Sequence, residues 1–202
     1  MISGIRFGPV GKDAVHVCVD MQRFFAEKSD WAAPATFDVL PFVERICERA
    51  PERTIFTRFL TPRHVEDAQG QWRTYYRRWS SVLATKLEPD LFDLLPPLRR
   101  FVPPALVIDK FVHSSFEAPE FQPALDRFNA STLIFTGVET DVCVLATALT
   151  AVDRGYRTIL VVDAITSSSP AGHDASLEAV FPRFDMQVET VTSHDLLKAW
   201  AS

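Results

Sequence analysis

Short β-branched runs that alternate with stretches of helical spacing constrain this chain more than any other feature. Asp13-Ala-Val-His-Val-Cys-Val19 reads as a strand ending at Asp20, and Phe37, Leu40, Phe42, Val43, Ile46 and Cys47 recur with helical spacing over residues 35–50. The alternation predicts further strands at 53–57, 105–109, 131–136, 158–162 and 186–191, with helices at 116–128, 140–154, 172–182 and 193–201. Strand, helix, strand in repetition means right-handed crossovers, so the expected class is α/β, with a mainly parallel six-stranded sheet covered on both faces. Residues 61–104 break the rhythm: they hold six of the fourteen prolines and the aromatic-basic run Trp72-Arg-Thr-Tyr-Tyr-Arg-Arg-Trp79. That segment is too long for a simple connection and is expected to form a lid or an interface.

At 202 residues the chain fits a single domain spanning 1–202. The balance of 21 Lys and Arg against 26 Asp and Glu offers no electrostatic footprint for nucleic acid or an anionic membrane. No apolar run approaches the roughly 18 residues a bilayer span needs. The N-terminal residues lack a basic region followed by a long apolar run, so no signal peptide is read and a cytoplasmic setting is expected. Three cysteines do not make a disulfide framework. Seven glycines form no phosphate-binding loop, and the five histidines (His16, His64, His113, His173 and His194) form no recognisable metal motif.

In an open parallel sheet, ligands bind beyond the carboxyl ends of the strands. Three reactive side chains stand there: Asp20 after the first strand, Lys110 after the third and Cys143 shortly after the fourth. A carboxylate, an ammonium and a thiol converging on one crevice make a nucleophilic site. Cys143 lies in Gly137-Val-Glu-Thr-Asp-Val-Cys-Val144, a turn from strand into helix whose free N–H groups favour a thiolate and an oxyanion. Lys110 is expected to lower the thiol pKa further, with Asp20 accepting its proton. Taken singly, each residue has a plainer reading: a cysteine in an apolar stretch fills core, an Asp after a strand caps a turn, and a Lys snorkels to the surface. Cys18, on a buried strand, and Cys47, on a helix's apolar face, read as core.

These motifs resemble the isochorismatase-like cysteine hydrolases, a superfamily that includes nicotinamidases and several small amidases. The matching pieces are Val17-Cys-Val-Asp-Met-Gln22, Val107-Ile-Asp-Lys110 with Ser114-Ser-Phe116, and the 137–144 segment, joined by Asp163-Ala164 and Gly172-His-Asp-Ala175. The resemblance implies a doubly wound three-layer α/β/α fold and a catalytic triad of Cys143 as nucleophile, Asp20 as acid and base, and Lys110 as electrostatic support. It also implies a cis peptide at Val138–Glu139 and an oxyanion hole from the N–H groups of Glu139 and Cys143. No cofactor is implied, and relatives are commonly homodimers or homotetramers.

Nicotinamidases place an Asp-x-His pair after the second strand to hold a metal, whereas this chain has Arg58 and Phe59 there and only His64 beyond. The expectation is a metal-independent amidohydrolase acting on a small amide or ureide. Two alternatives stand beside it: a vinyl-ether hydrolase that needs Asp20 but not Cys143, and a non-catalytic binding module. Phe25, Trp72, Tyr76, Phe111, His113 and Phe116 are the candidate pocket residues. The arginines among the aromatics of 72–79 would clamp a carboxylated or planar substrate, or else build an oligomer interface.

Overall fold

Strands buried on both faces need no alternation of apolar and polar residues, and β1 (Ala14–Val19) and β4 (Thr132–Val138) are buried along their whole length. A computed structural model describes residues 2–27 and 29–201. With β2 (Thr54–Phe59), β3 (Leu106–Lys110), β5 (Arg157–Thr166) and β6 (Val188–Val191), these strands form one six-stranded sheet in the order β3-β2-β1-β4-β5-β6. Every neighbouring pair runs parallel. Around the sheet lie α1 (Arg23–Ala26), α2 (Thr36–Arg49), α3 (Trp72–Arg78), α4 (Pro96–Arg99), α5 (Phe121–Arg127), α6 (Leu145–Asp153), α7 (Pro170–Ala175) and α8 (Ser193–Ala199). The chain builds outward from β1 in one direction and then resumes at β4 on its other side, so the crevice of the topological switch opens beyond β1 and β4. No helix among the described residues is long and apolar enough to cross a membrane.

The departures from the sequence reading have local causes. Pro119 stops the helix expected from 116 and moves its start to Phe121, leaving a single tight turn at Ser115–Glu117. Pro170 and the Ser169 cap, whose Oγ accepts from the Gly172 N–H at 3.1 Å, start α7 two residues early. Beyond Ala175 that helix loosens into wider and then tighter turns at Ser176–Val180 and Phe181–Phe184. β5 continues past residue 162 because its far end pairs again with β4 after a bulge, Gly137 opposite Ile165 and Val138 opposite Thr166. The 61–104 segment is not irregular throughout, since it contains α3 and α4.

The core includes a polar island. His16 on β1 is fully buried, its Nε2 2.7 Å from Thr136 Oγ1 and its Nδ1 3.3 Å from Thr54 Oγ1. Burial pushes its pKa from 6.5 down to about 3, so the imidazole is neutral. Cys47 Sγ lies 3.7 Å from His16 Nδ1, and Cys18 and Cys47 are both completely buried, as their apolar settings predict.

Candidate active site

Asp20 leaves β1 with a φ of 51°, a left-handed conformation that Asp tolerates better than most residues. Its N–H donates to the Thr57 carbonyl at 3.2 Å, and Thr57 Oγ1 donates to Asp20 Oδ1 at 2.7 Å. Lys110 ends β3, two strands away, and reaches across the end of β2. Its Nζ lies 2.7 Å from Asp20 Oδ2 and 3.4 Å from Cys143 Sγ, and donates to the Val112 carbonyl at 3.2 Å. Phe59 fills the space beneath it, with Nζ 4.6 Å from the ring centroid.

Cys143 is delivered by close contact between β1 and β4. Gly137 stands opposite Val19 with φ of 104°, and a Cβ there would sit 2.0 Å from the Val19 carbonyl oxygen. Only glycine permits this approach, which carries the following turn over Asp20. The Val138–Glu139 peptide is cis, as the family resemblance implies. Cys143 lies in the wide helical turn Thr140–Val144 ahead of α6, and its Sγ is 3.9 Å from His113 Nδ1. α7 braces this turn: Thr140 Oγ1 is 2.9 Å from His173 Nδ1, and Gly172 packs so tightly on Asp141 that a Cβ would overlap its Oδ2.

The electrostatics correct one expectation. The Cys143 thiol is not lowered towards a resting thiolate; burial, with help from Asp20, pushes its pKa well up against the opposing pull of Lys110. Burial also works against the Lys110 charge, but Asp20 and Cys143 outweigh it and hold the ammonium above its ordinary value. The resting arrangement is therefore a protonated thiol beside an ammonium–carboxylate pair. Burial and Lys110 lower the His113 pKa, which keeps that ring neutral.

The 72–79 run splits by face. Trp72, Tyr75, Tyr76 and Trp79 turn inward at helical spacing, while Arg73, Arg77 and Arg78 are exposed. The Trp72 ring lies 4.9 Å from His113, Tyr75 6.5 Å from His113, and Tyr76 5.9 Å from Trp72. Trp72 lines two adjoining cavities, one of about 210 Å³ with Gln71, Tyr75 and His113, the other of about 330 Å³ with Tyr76, Phe111, Asp67 and neighbours. A larger cavity of about 840 Å³, lined by Arg23, Glu27, Glu88, Asp90 and neighbours, touches none of Asp20, Lys110 and Cys143. Of the other pocket candidates, Phe25 lies behind this wall against Phe24, Trp31 and Phe59. Phe116 is not brought to the site: it packs on Phe121 and Tyr156, with the Arg154 guanidinium over its ring.

Two contributors escaped the sequence reading: Thr57 holds Asp20 and Phe59 supports Lys110, while Gln22, which closes the Val17–Gln22 motif, pins Phe59 by accepting its N–H at 2.7 Å and donating to its carbonyl at 3.1 Å. Their signal was position alone, at the end of β2 between the two strands that carry charge. Arg58 makes a two-pronged ion pair with Asp109 at 2.7 and 2.9 Å, so a cation occupies the place where the nicotinamidase pattern needs a ligand. Among the described residues, no group of three or more His, Cys, Asp or Glu side chains is arranged to hold a metal ion.

The isochorismatase domain family matches residues 14–194. The chain belongs to the isochorismatase family. Isochorismatase family protein 2A of Dictyostelium discoideum is 30% identical over 48% of this chain, which spans about half (52%) of that relative. Ureidoacrylate amidohydrolase RutB of Methylorubrum extorquens is 29% identical over 80% of this chain and 74% of its own length. The fold is that of a cysteine hydrolase from Pseudomonas syringae pv. phaseolicola 1448A, with a TM-score of 0.77, 22% identity and coverage of 97% and 96% of the two chains. Like other members of its family, this chain is a hydrolase.

Proposed function

We propose that this isochorismatase-family hydrolase is a metal-independent cysteine amidohydrolase that cleaves a C–N bond of a small amide or ureide. One observation carries the reading: Lys110 Nζ sits between Asp20 Oδ2 at 2.7 Å and Cys143 Sγ at 3.4 Å, with all three side chains buried. The RutB relative, a ureidoacrylate amidohydrolase, supports the same class of bond.

The mechanism follows from the protonated thiol. The Asp20 carboxylate takes the Cys143 proton as Sγ attacks the substrate carbonyl carbon, and the N–H groups of Glu139 and Cys143 receive the developing oxyanion. The C–N bond then breaks, Asp20 returns the proton to the departing nitrogen, and the acyl group remains on Sγ as a thioester. Water, deprotonated by Asp20, attacks the thioester, releasing the acid and restoring the thiol. Lys110 remains charged throughout, stabilising each anionic species formed beside it. Residues 61–104 contribute the aromatic pocket wall within one domain. The proposal extends to a cytoplasmic homodimer or homotetramer.

Ammonia release from a panel of small amides, ureides and N-carbamoyl compounds tests this reading, with Cys143→Ala as control. Turnover of a vinyl ether by both the parent and the Cys143→Ala protein would overturn it.

A further inference from the structure

Backbone pairing between β1 and β2 stops short of the residue that stands opposite Lys110. The ladder joins Cys18 to Phe56, and Asp20 then turns into the left-handed region, its N–H donating to the Thr57 carbonyl. β2 nevertheless runs on to Phe59, which pairs on its other side with Lys110 of β3. A side chain stands in for the missing strand. Gln22, fully buried, accepts the Phe59 N–H on Oε1 at 2.7 Å. Its Nε2 donates to the Phe59 carbonyl at 3.1 Å and to the Phe92 carbonyl at 2.8 Å. A carboxamide offers an acceptor and donors in one plane, so it mimics a neighbouring peptide group and holds Phe59 extended.

The ring held in this way is 2% exposed and lies against the ammonium, with Lys110 Nζ 4.6 Å from its centroid. The three protons of Nζ have Asp20 Oδ2, the Val112 carbonyl and Cys143 Sγ as acceptors, at 2.7, 3.2 and 3.4 Å. An ammonium has no further proton to give, so any added stabilisation of this buried cation comes from a surface that takes no hydrogen bond. The negative face of an aromatic ring is such a surface, and it counts for more where water is excluded. The same ring touches the aromatic wall: its centroid is 5.8 Å from Trp31, 6.5 Å from Trp72 and 6.3 Å from His113, the last stacked.

We infer that Phe59 is a positioning residue for Lys110: its ring, held by the Gln22 carboxamide, keeps the ammonium charged and aimed between Asp20 and Cys143. An aliphatic side chain would fill the space but offer no negative face. The titratable and charged groups facing the ammonium are Asp20 from the end of β1, Cys143 from the turn ahead of α6 and His113 from the loop after β3. Asp20 and Cys143 favour its charged form, and burial opposes it. The ring adds to the favourable side without itself titrating. Its bearing on catalysis rests on the proposed amidohydrolase function, in which Lys110 stays charged throughout.

The test replaces Phe59 in the full chain with mono-, di- and trifluorinated phenylalanines, which drain the ring's negative face with little change of shape. Lys110 Nζ is followed against pH by nitrogen NMR and assigned by its absence in Lys110→Arg. Each added fluorine is expected to move the Nζ titration to lower pH, by about one pH unit across the series. Phe59→Leu and Gln22→Met should move it the same way, the first by removing the face and the second by releasing the ring. A merely structural role for Phe59 would leave the fluorinated proteins titrating together, and that result would overturn the inference. An unmoved titration in Gln22→Met would remove Gln22 from it. In Phe59→Leu, kcat on whichever small amide the parent hydrolyses should fall at least about tenfold with KM within about threefold, and an unchanged kcat would count against the inference. If the parent hydrolyses no amide the proposed activity fails, while the titration still decides the part played by the ring.

Discussion

The Asp20 carboxylate and the Lys110 ammonium meet 2.7 Å apart, both side chains wholly shielded from solvent. Such a pair is costly to desolvate, and its partners become mutually dependent once buried. Asp20→Asn and Lys110→Met are each expected to lower unfolding free energy by ~3–5 kcal/mol, because each strands the other charge. The double variant should lose much less than the sum. Urea denaturation of the three proteins measures the coupling, and simple additivity would rule out a dependent pair.

Cys143→Ala should abolish amide turnover by at least about a thousandfold while the circular dichroism spectrum and melting temperature stay near those of the parent. Cys143→Ser should do the same, because a serine hydroxyl is a poorer leaving group and far less acidic than a thiol. Retained activity in either variant would remove the thioester from the mechanism.

The raised pKa of Cys143 sets its reactivity towards alkylating agents. Iodoacetamide should modify it slowly across the pH range in which an ordinary cysteine ionises, with the rate still rising beyond that range. In Asp20→Asn, which removes a negative neighbour, the curve should move to lower pH. A rate already at its plateau at pH 7 in the parent would contradict a resting thiol.

Stability should decline on both sides of neutrality, for opposite reasons. Lys110 and Cys143 have pKa values raised by folding, so their contribution is complete below their unfolded values and is lost as pH climbs through the folded ones. His16 is the reverse: its folded value of about 3 lies below 6.5, so its contribution is present above 6.5 and is lost as pH falls towards 3. Melting temperature against pH should therefore drop on the acid side, and His16→Gln should flatten that slope. An unchanged acid slope in the variant would show that other groups govern it.

Gly137→Ala should cost activity and stability together, because the new Cβ meets the Val19 carbonyl at 2.0 Å and the backbone holds φ of 104°. Gly70→Ala also places a side chain at positive φ, but with nothing within 4 Å, and should cost only about 1 kcal/mol. Kinetics and melting curves of the two variants separate a close approach from simple backbone strain.

Dialysis against EDTA, or added zinc, should leave turnover unchanged. Arg58, already engaged by Asp109, leaves no donor at the place where related enzymes hold a metal. Loss of activity on chelation, with recovery on adding metal back, would refute this.

Strand alternation made the parallel sheet legible, because buried strands rich in Val and Ile mark themselves regardless of their partners. The positions of Asp20, Lys110 and Cys143 were legible too, since strand ends in a parallel sheet converge on one edge. The Cys143 pKa was not. Local sequence shows the nearby cation and the helical turn, whereas the dominant influence is desolvation by residues distant in the chain. The bulge in β5, where it pairs again with β4, and the two-faced character of α3 were hidden for a related reason. Each is settled by what packs against the segment, and the spacing of 72, 75, 76 and 79 shows a helix face only once something is known to cover it.

Trp72, Tyr75 and Tyr76 arrive on one short helix, while the reacting groups arrive on separate strand ends. On the proposed function, bond cleavage and molecular choice are therefore mounted on different parts of the scaffold. A graft that exchanges residues 61–104 for a segment of equal span would re-tune which molecules enter, with the sheet and its buried charges left in register.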